Sequence, residues 1–288
     1  MKSCIIINGI AEDATMYETL INNRAFRYGD GLFETIRVCN GKPLFAEKHY
    51  ERFMDGLKIL KIESIEAHDF SFFKHNLNAV INSNNISNGG RIRYSINRTS
   101  GGYYKPLDNT GISIVEGQRI DDNSYQLNQQ GLLIDLYDEV LKPYNILSPF
   151  KNAFALIHVL AGLKNCGVNY ESILLNEQRN ICEGVNSNIF ILKNGTLHTP
   201  SLDQGCVRGI MRKVIMNDIS RILNIEVIET TITRTFLKEA DEIFLTNAIQ
   251  GIKWVLGFEE KRYLNTFSKL VIQTINEFIS DNFKKDFK

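Results

Sequence analysis

The sequence lacks an excess of charge of either sign: its 288 residues carry 33 lysines and arginines against 33 aspartates and glutamates. That balance excludes a broadly polybasic nucleic-acid binder and a strongly acidic tail protein. Long apolar runs are also missing. The first, Cys4 to Ile7, is broken by Asn8-Gly9 and followed by Glu12 and Asp13, far short of a signal-peptide core or a membrane span. A cytoplasmic protein without a membrane or nucleic-acid partner is therefore expected. Cysteine is scarce, and Cys4, Cys39, Cys166, Cys182 and Cys206 are odd in number and scattered, with no Cys-x-x-Cys pair. They read as reduced core thiols rather than as a disulfide framework or a zinc site, and no metal is expected. There is no Walker A lysine motif, no His-Glu-x-x-His, no Gly-x-Ser-x-Gly elbow, no internal repeat and no low-complexity tract.

What is present is ordinary globular composition, 43% hydrophobic and 23% charged, in a chain long enough to bury a large core. Apolar residues from Leu32 to Val38 run into the Asn40-Gly41 turn and a short strand over Pro43 to Phe45, a hairpin signal. Phe53, Leu57 and Leu60 recur at three and four positions and predict a helix over Ala46 to Leu60, with a second over Phe70 to Ile81. Strands are predicted at Arg91 to Ile96 and Ile112 to Val115. The polar stretch Glu116 to Gln130 reads as a junction. Beyond it come a strand at Leu132 to Leu136, a helix beginning near Lys151, a hairpin over Ile189 to His198, a helix over Ile210 to Leu223, strands at Glu242 to Thr246 and near Trp254 to Leu256, and a closing helix near Phe267 to Phe278. The whole reads as two α+β domains: a small one over 1–118, a linker at 119–130 and a larger domain over 131–288.

Gly29-Asp30-Gly31-Leu32-Phe33-Glu34 offers the first two glycines of a dinucleotide fingerprint, but Glu34 stands where the third belongs. Arg91, Arg93 and Arg98, interleaved with Tyr94, Tyr103 and Tyr104, suggest an RNA-binding face less well than a half-exposed strand and loop. The second domain is more informative. Lys151 follows Ser148-Pro149-Phe150 and precedes the apolar Phe154, Ile157, Val159 and Leu160, which places it on the first turn of a largely buried helix. There the helix dipole and the dry surroundings both disfavour an ammonium, so the amine is available to attack an aldehyde. Glu183 offers a carboxylate in a loop between apolar strands. Gly205 to Arg212 opens a helix whose free N–H groups at Gly209 and Ile210 suit a phosphate. Phe244 to Ala248 ends a strand in small residues that admit an anion.

Taken together, Arg24 to Thr35, His49-Tyr50-Glu51-Arg52, Lys151, Glu183 to Phe190, Thr199-Pro200 and Gly205 to Arg212 resemble the class IV aminotransferases. These are the pyridoxal-phosphate enzymes of fold type IV, among them branched-chain and D-amino acid aminotransferases and 4-amino-4-deoxychorismate lyase. The resemblance implies an α+β fold with a small N-terminal domain and a larger C-terminal domain with a barrel-like β core, a homodimer, and pyridoxal 5'-phosphate as cofactor. It makes Lys151 the Schiff-base lysine and general acid/base, and Glu183 the partner of the pyridine nitrogen. It makes Arg52, Gly209 and Ile210 phosphate ligands, with a further contact from one residue of Thr246-Asn247-Ala248, and puts Asn247 and Ala248 among the cofactor-binding residues. Tyr28, Arg93 and Arg98 fall on the substrate side. The implied reaction moves an amino group between an amino acid, of branched-chain type first, and a 2-oxo acid. The alternative is the lyase that releases pyruvate and 4-aminobenzoate. Asn97 to Tyr104 and Thr246 to Ile252 look more like the lyases, although Tyr103 stands where lyases usually carry arginine.

Overall fold

The computed structural model of the chain describes residues 4–7, 10–13, 22–64, 69–164, 167 and 169–285. The small half opens with a two-stranded hairpin of β1 (Cys4–Ile7) and β2 (Ile10–Asp13) and the short helix α1 (Arg24–Tyr28), which Asn23 caps and Gly29 ends in the left-handed conformation. Next come β3 (Gly31–Cys39), β4 (Lys42–Pro43), α2 (Ala46–Leu60), α3 (Phe70–Ser83), β5 (Gly90–Arg98) and β6 (Gly111–Arg119). The sheet runs β4-β3-β5-β6, antiparallel throughout. Helices α2 and α3 cover one face, where Phe53, Leu57, Phe73, Leu77 and Tyr94 make the core. Full burial of each such side chain contributes about 1.5–3 kcal/mol. The short strand expected over Pro43 to Phe45 is displaced, because Phe45 takes a left-handed φ of 56° to start α2.

The large half contains β7 (Leu132–Lys142), α4 (Leu156–Lys164), β8 (Tyr170–Asn176), β9 (Ile181–Gly184), β10 (Asn188–Lys193) and β11 (Thr196–Pro200). Helix α5 starts at Ile210, passes through a π turn at Ile215–Ile219 and ends at Ile222. After it come β12 (Val227–Thr230), α6 (Arg234–Lys238), β13 (Glu242–Asn247), β14 (Gly251–Phe258), β15 (Lys261–Arg262) and α7 (Thr266–Lys285). The nine strands order as β12-β11-β10-β13-β14-β7-β8-β9, with β15 beside β14. The far ends of this sheet meet. Ile181, at the start of β9, donates its amide to the carbonyl of Ile232, just beyond β12, at 2.8 Å. The sheet is thereby curled into a barrel-like core, as the fold type IV resemblance implies.

Alternation along the strands fills both sides of that barrel. Ile189, Ile191, Ile243 and Leu245 face an interior shared with Ile134, Ile173 and Val255. Phe190 and Phe244 face outwards and stack, with ring centroids 5.3 Å apart, beneath Met211, Val214, Ile215 and Ile275 of α5 and α7. No helix among the described residues is long and apolar enough to cross a membrane. Cys39, Cys182 and Cys206 are buried free thiols, and Cys166 lies outside the described residues.

Candidate active site

The site gathers where the start of β3 meets the segment after β7. Lys151 is not on a helix: α4 begins only at Leu156. The lysine lies in an extended segment that docks on β3, the amide of Phe33 donating to the Lys151 carbonyl at 2.8 Å and the amide of Ala153 to that of Gly31 at 2.9 Å. This backbone pairing competed successfully with helix formation. Its Nζ stands 5.1 Å from the centre of the Phe33 ring and has no hydrogen-bond partner among the described residues. Burial of the amine, reinforced by the positive charge of Arg52, lowers its pKa to about 8, while Glu34 and Glu183 oppose the shift. The expected lowering of the amine's pKa is there, produced by enclosure and not by a helix dipole.

Glu183 lies within β9 instead of in a loop, and it is 2% exposed. Three elements converge on its carboxylate: Lys142 at the end of β7 through Oε1, His158 of α4 at 3.2 Å on the same oxygen, and the amide of Val207 donating to Oε2 at 2.8 Å. Burial alone would raise its pKa; the Lys142 charge and the His158 contact outweigh it and hold the carboxyl at about 2. Glu183 is thus an ionised, oriented acceptor.

Arg52 is drawn to Glu34. Its Nε donates to Oε1 at 2.8 Å and one Nη2 hydrogen to Oε2, while Nη1 donates to the Arg208 carbonyl at 2.8 Å. Those contacts use three of the five N–H groups of a guanidinium. The remaining N–H groups have no acceptor among the described residues, beside the loop that leads into α5. His49 donates from Nδ1 to Glu34 at 2.6 Å, and its buried Nε2 has no partner among the described residues. Burial lowers the His49 pKa, so the ring is neutral.

The phosphate seat expected at Gly209 and Ile210 is narrower than the sequence suggests, because the Gly209 amide turns back to the Val207 carbonyl at 2.8 Å. No side chain caps α5, which leaves the first-turn amides from Ile210 onward without a side-chain acceptor. A Cβ on Gly209 would stand 1.9 Å from Oδ1 of Asn188, whose Nδ2 donates to the Val207 carbonyl at 2.8 Å. Sequence reasoning gave Asn188 no role of its own, although it lies within the Glu183 to Phe190 stretch, and passed over Lys142, which sits in no local pattern that marks a site. On the β13–β14 turn, Asn247 accepts the amides of Ile249 and Gln250 at 3.0 and 2.8 Å, and the Ala248 carbonyl accepts from the Tyr125 hydroxyl at 2.7 Å. Arg37 crosses from β3 to the Ile249 carbonyl at 2.8 Å and so joins this turn to the small half.

The three expected substrate-side residues separate. Arg93 lies with its guanidinium carbon 3.7 Å from the Phe33 ring centre, on the same ring as Lys151. Tyr28 lines a cleft of about 270 Å³ with Asn22, Arg24, Arg27, Gly101, Gly102 and Tyr103. Arg98 faces elsewhere. It is bound to Asp30 at 3.1 Å, to Asn109 at 2.7 Å and to the carbonyls of Leu60 and Lys61, which makes it a brace of the small half.

These residues fit pyridoxal phosphate. An enclosed amine without a partner suits the aldehyde, an ionised carboxylate suits the ring nitrogen, and uncapped helix amides beside the spare N–H groups of Arg52 suit the phosphate.

Comparison with known proteins agrees. The model of the family described as amino-transferase class IV matches residues 31–256. A probable branched-chain-amino-acid aminotransferase of Aquifex aeolicus is 28% identical over 272 residues, covering 90% of this chain and 85% of that protein. The aminodeoxychorismate lyase of Bacillus subtilis is 26% identical over 251 residues, covering 84% and 82%. The branched-chain amino acid aminotransferase of Escherichia coli superposes with a TM-score of 0.77 at 22% identity, over 95% of this chain and 92% of that one. The chain therefore belongs to the class IV aminotransferases, a family of pyridoxal-phosphate enzymes.

Proposed function

We propose that the enzyme moves an amino group between an α-amino acid and a 2-oxo acid, with branched-chain amino acids as the first donors to test. One observation carries this reading: Lys151 is an enclosed, partnerless amine with a pKa lowered to about 8, sharing the Phe33 ring with the guanidinium of Arg93. An amine and a carboxylate-binding group side by side suit an α-amino acid.

When bound, pyridoxal phosphate takes up the substrate's amine and accepts the electron pair left by the departing α-proton. Lys151 would hold the cofactor at rest; during turnover its Nζ would take the substrate's α-proton and deliver it to the carbon that had carried the cofactor's aldehyde. Glu183 stays ionised and faces the ring nitrogen. Arg52 offers its spare N–H groups to the phosphate, together with the Ile210 amide, and Gly209 leaves the space. Asn247 or Ala248, on the β13–β14 turn, would give the phosphate its further contact. Arg93 takes the substrate carboxylate, and Tyr28 borders the entrance. The 119–130 stretch joins a small domain, 1–118, to a large one, 131–288.

A second copy of the chain completes the molecule in this reading. Helix α4 buries Ala161 but leaves Leu156, Val159, Leu160 and Leu163, spaced along one helical face, exposed, and Phe154 just ahead of the helix is exposed as well. A contiguous apolar face of that kind suits an interface.

The lyase is the second reading, favoured by the Bacillus subtilis relative and by the Thr246 to Ile252 segment. Incubating the loaded enzyme with single L- and D-amino acids, without an acceptor, separates the two. One 2-oxo acid released per enzyme supports amino transfer and names the donor. If no amino acid yields its oxo acid while aminodeoxychorismate yields pyruvate and 4-aminobenzoate, the first reading falls.

A further inference from the structure

A lysine outside the residues expected to touch the cofactor is built into the site. Lys142 ends β7 where the ladder with β8 slips register between Tyr137 and Lys142. Irregularities of this kind re-aim side chains near active sites. Here the slip leaves an ammonium 6% exposed, against the Glu183 carboxylate. A buried ammonium is tolerated only with a counter-charge, and the remaining donors to Glu183 are an amide and an imidazole. The pair leaves little freedom to either side chain, since each is approached from a different strand of the barrel.

Resting on the reading that Glu183 faces the cofactor's ring nitrogen, we propose that Lys142 is a positioning residue that fixes Glu183 as an aimed carboxylate and then shares it with that nitrogen. Glu183 meets two cations in the loaded enzyme. It therefore holds the ring proton less firmly than an unshared carboxylate does, and the ring is a weaker electron sink than the Glu183 contact alone would make it. Lys142 sets that strength without touching the reacting atoms.

The test uses Lys142→Met, Glu183→Gln and the double variant, with two readouts. In the cofactor-free protein, urea unfolding should show the double variant less destabilised than the sum of the single ones, because both ends of the pair leave together. Additive effects would overturn the pairing. In the loaded protein, the nitrogen resonance of ring-labelled pyridoxal phosphate is followed against pH. Lys142→Met should move the ring nitrogen's titration upward by about one to three pH units, the effect of removing a nearby like charge, and Glu183→Gln should move it down. Lys142→Arg should restore the parent titration. Should the methionine variant not fold, Lys142→Gln removes the charge while keeping a donor. A shift in Glu183→Gln with none in Lys142→Met or Lys142→Gln sinks the role of Lys142 and leaves Glu183 at the ring. No shift in any variant removes Glu183 from the ring, and the proposal with it.

Discussion

The carboxylate of Glu34 takes two N–H groups of Arg52 in a pocket that leaves Glu34 1% and Arg52 5% exposed. Breaking such a pair strands a buried charge, which costs about 3–5 kcal/mol. Glu34→Gln should lower the urea midpoint by that amount of free energy at unchanged slope. The same pair has a pH signature. The Glu34 carboxyl, which burial would raise, is held at about 2 by the charge of Arg52 and the His49 contact. Its stabilisation is present above the ordinary value of 4.5 and is lost as pH falls from there through about 2. Stability should decline less steeply with acid in the Gln variant; parallel curves would mean that Glu34 does not titrate in this way.

Lys151 titrates with the opposite sign. The unfolded chain keeps this proton up to the ordinary 10.5, whereas the folded protein releases it near about 8. In between, the unfolded state binds more protons, so the cofactor-free protein should gain stability as pH rises across that window. Lys151→Met should abolish the gain along with cofactor attachment, as read by chemical unfolding at a series of pH values. An unchanged pH slope in the variant would show that the amine is not desolvated.

Asn188 occupies the space that any side chain at position 209 would need. Gly209→Ala places a methyl 1.9 Å from Asn188 Oδ1, an overpacking that costs about 1–3 kcal/mol. Pyridoxal-phosphate affinity should fall with it, since the turn into α5 must shift. Adding Asn188→Ser shortens the obstructing side chain and should recover part of both losses. A double variant as weak as the sum of its parts would place the strain elsewhere.

Arg93 offers a direct test of substrate binding. Its stacking on Phe33 leaves the guanidinium beside Lys151 without burying it. Arg93→Met should reduce kcat/KM for amino acids by about tenfold to a hundredfold, the worth of a hydrogen bond to a charged group. The loss should appear chiefly in KM, with cofactor affinity unchanged. A fall confined to kcat would contradict carboxylate binding.

The apolar face of α4 predicts its own oligomer. Light scattering should give twice the 32.9 kDa of one chain, and Val159→Glu with Leu163→Glu should bring it to one. A single-chain mass for the parent protein would remove the dimer from the proposal.

Parts of this molecule were legible without coordinates. Helix α2 spans Ala46–Leu60 as its apolar spacing predicts, and the β10–β11 hairpin turns at Asn194-Gly195, where both residues have positive φ. Both signals are local. The placement of Lys151 was not legible, because the apolar residues after it carry no cap to mark where a helix begins, and the decisive bond is to β3. The bounds of β8, and the fact that Glu183 lies in β9 and not in a loop between apolar strands, escaped for a related reason: short, apolar runs such as Ile173 to Leu175 do not alternate and give no period. Lys142 drew no notice because a register slip cannot be read from spacing. The pull of Glu34 on Arg52 needs two elements brought together, which a linear motif does not encode.

The docking of the Lys151 segment on β3 also sets an order of events in folding. That contact joins distant parts of the chain, and long-range pairings form late because their loop entropy must be overcome first. While the large half is still emerging or unpaired, its lysine is an ordinary flexible amine, protonated and without an address. On the proposal that Lys151 holds the cofactor, capture should become efficient only once β3 has received the segment, and loading with pyridoxal phosphate should then report that the two halves have assembled. A severed chain, cut anywhere in 119–130, would carry all of Lys151, Glu183 and Lys142 on one fragment and still wait for the other before it could hold the aldehyde in place.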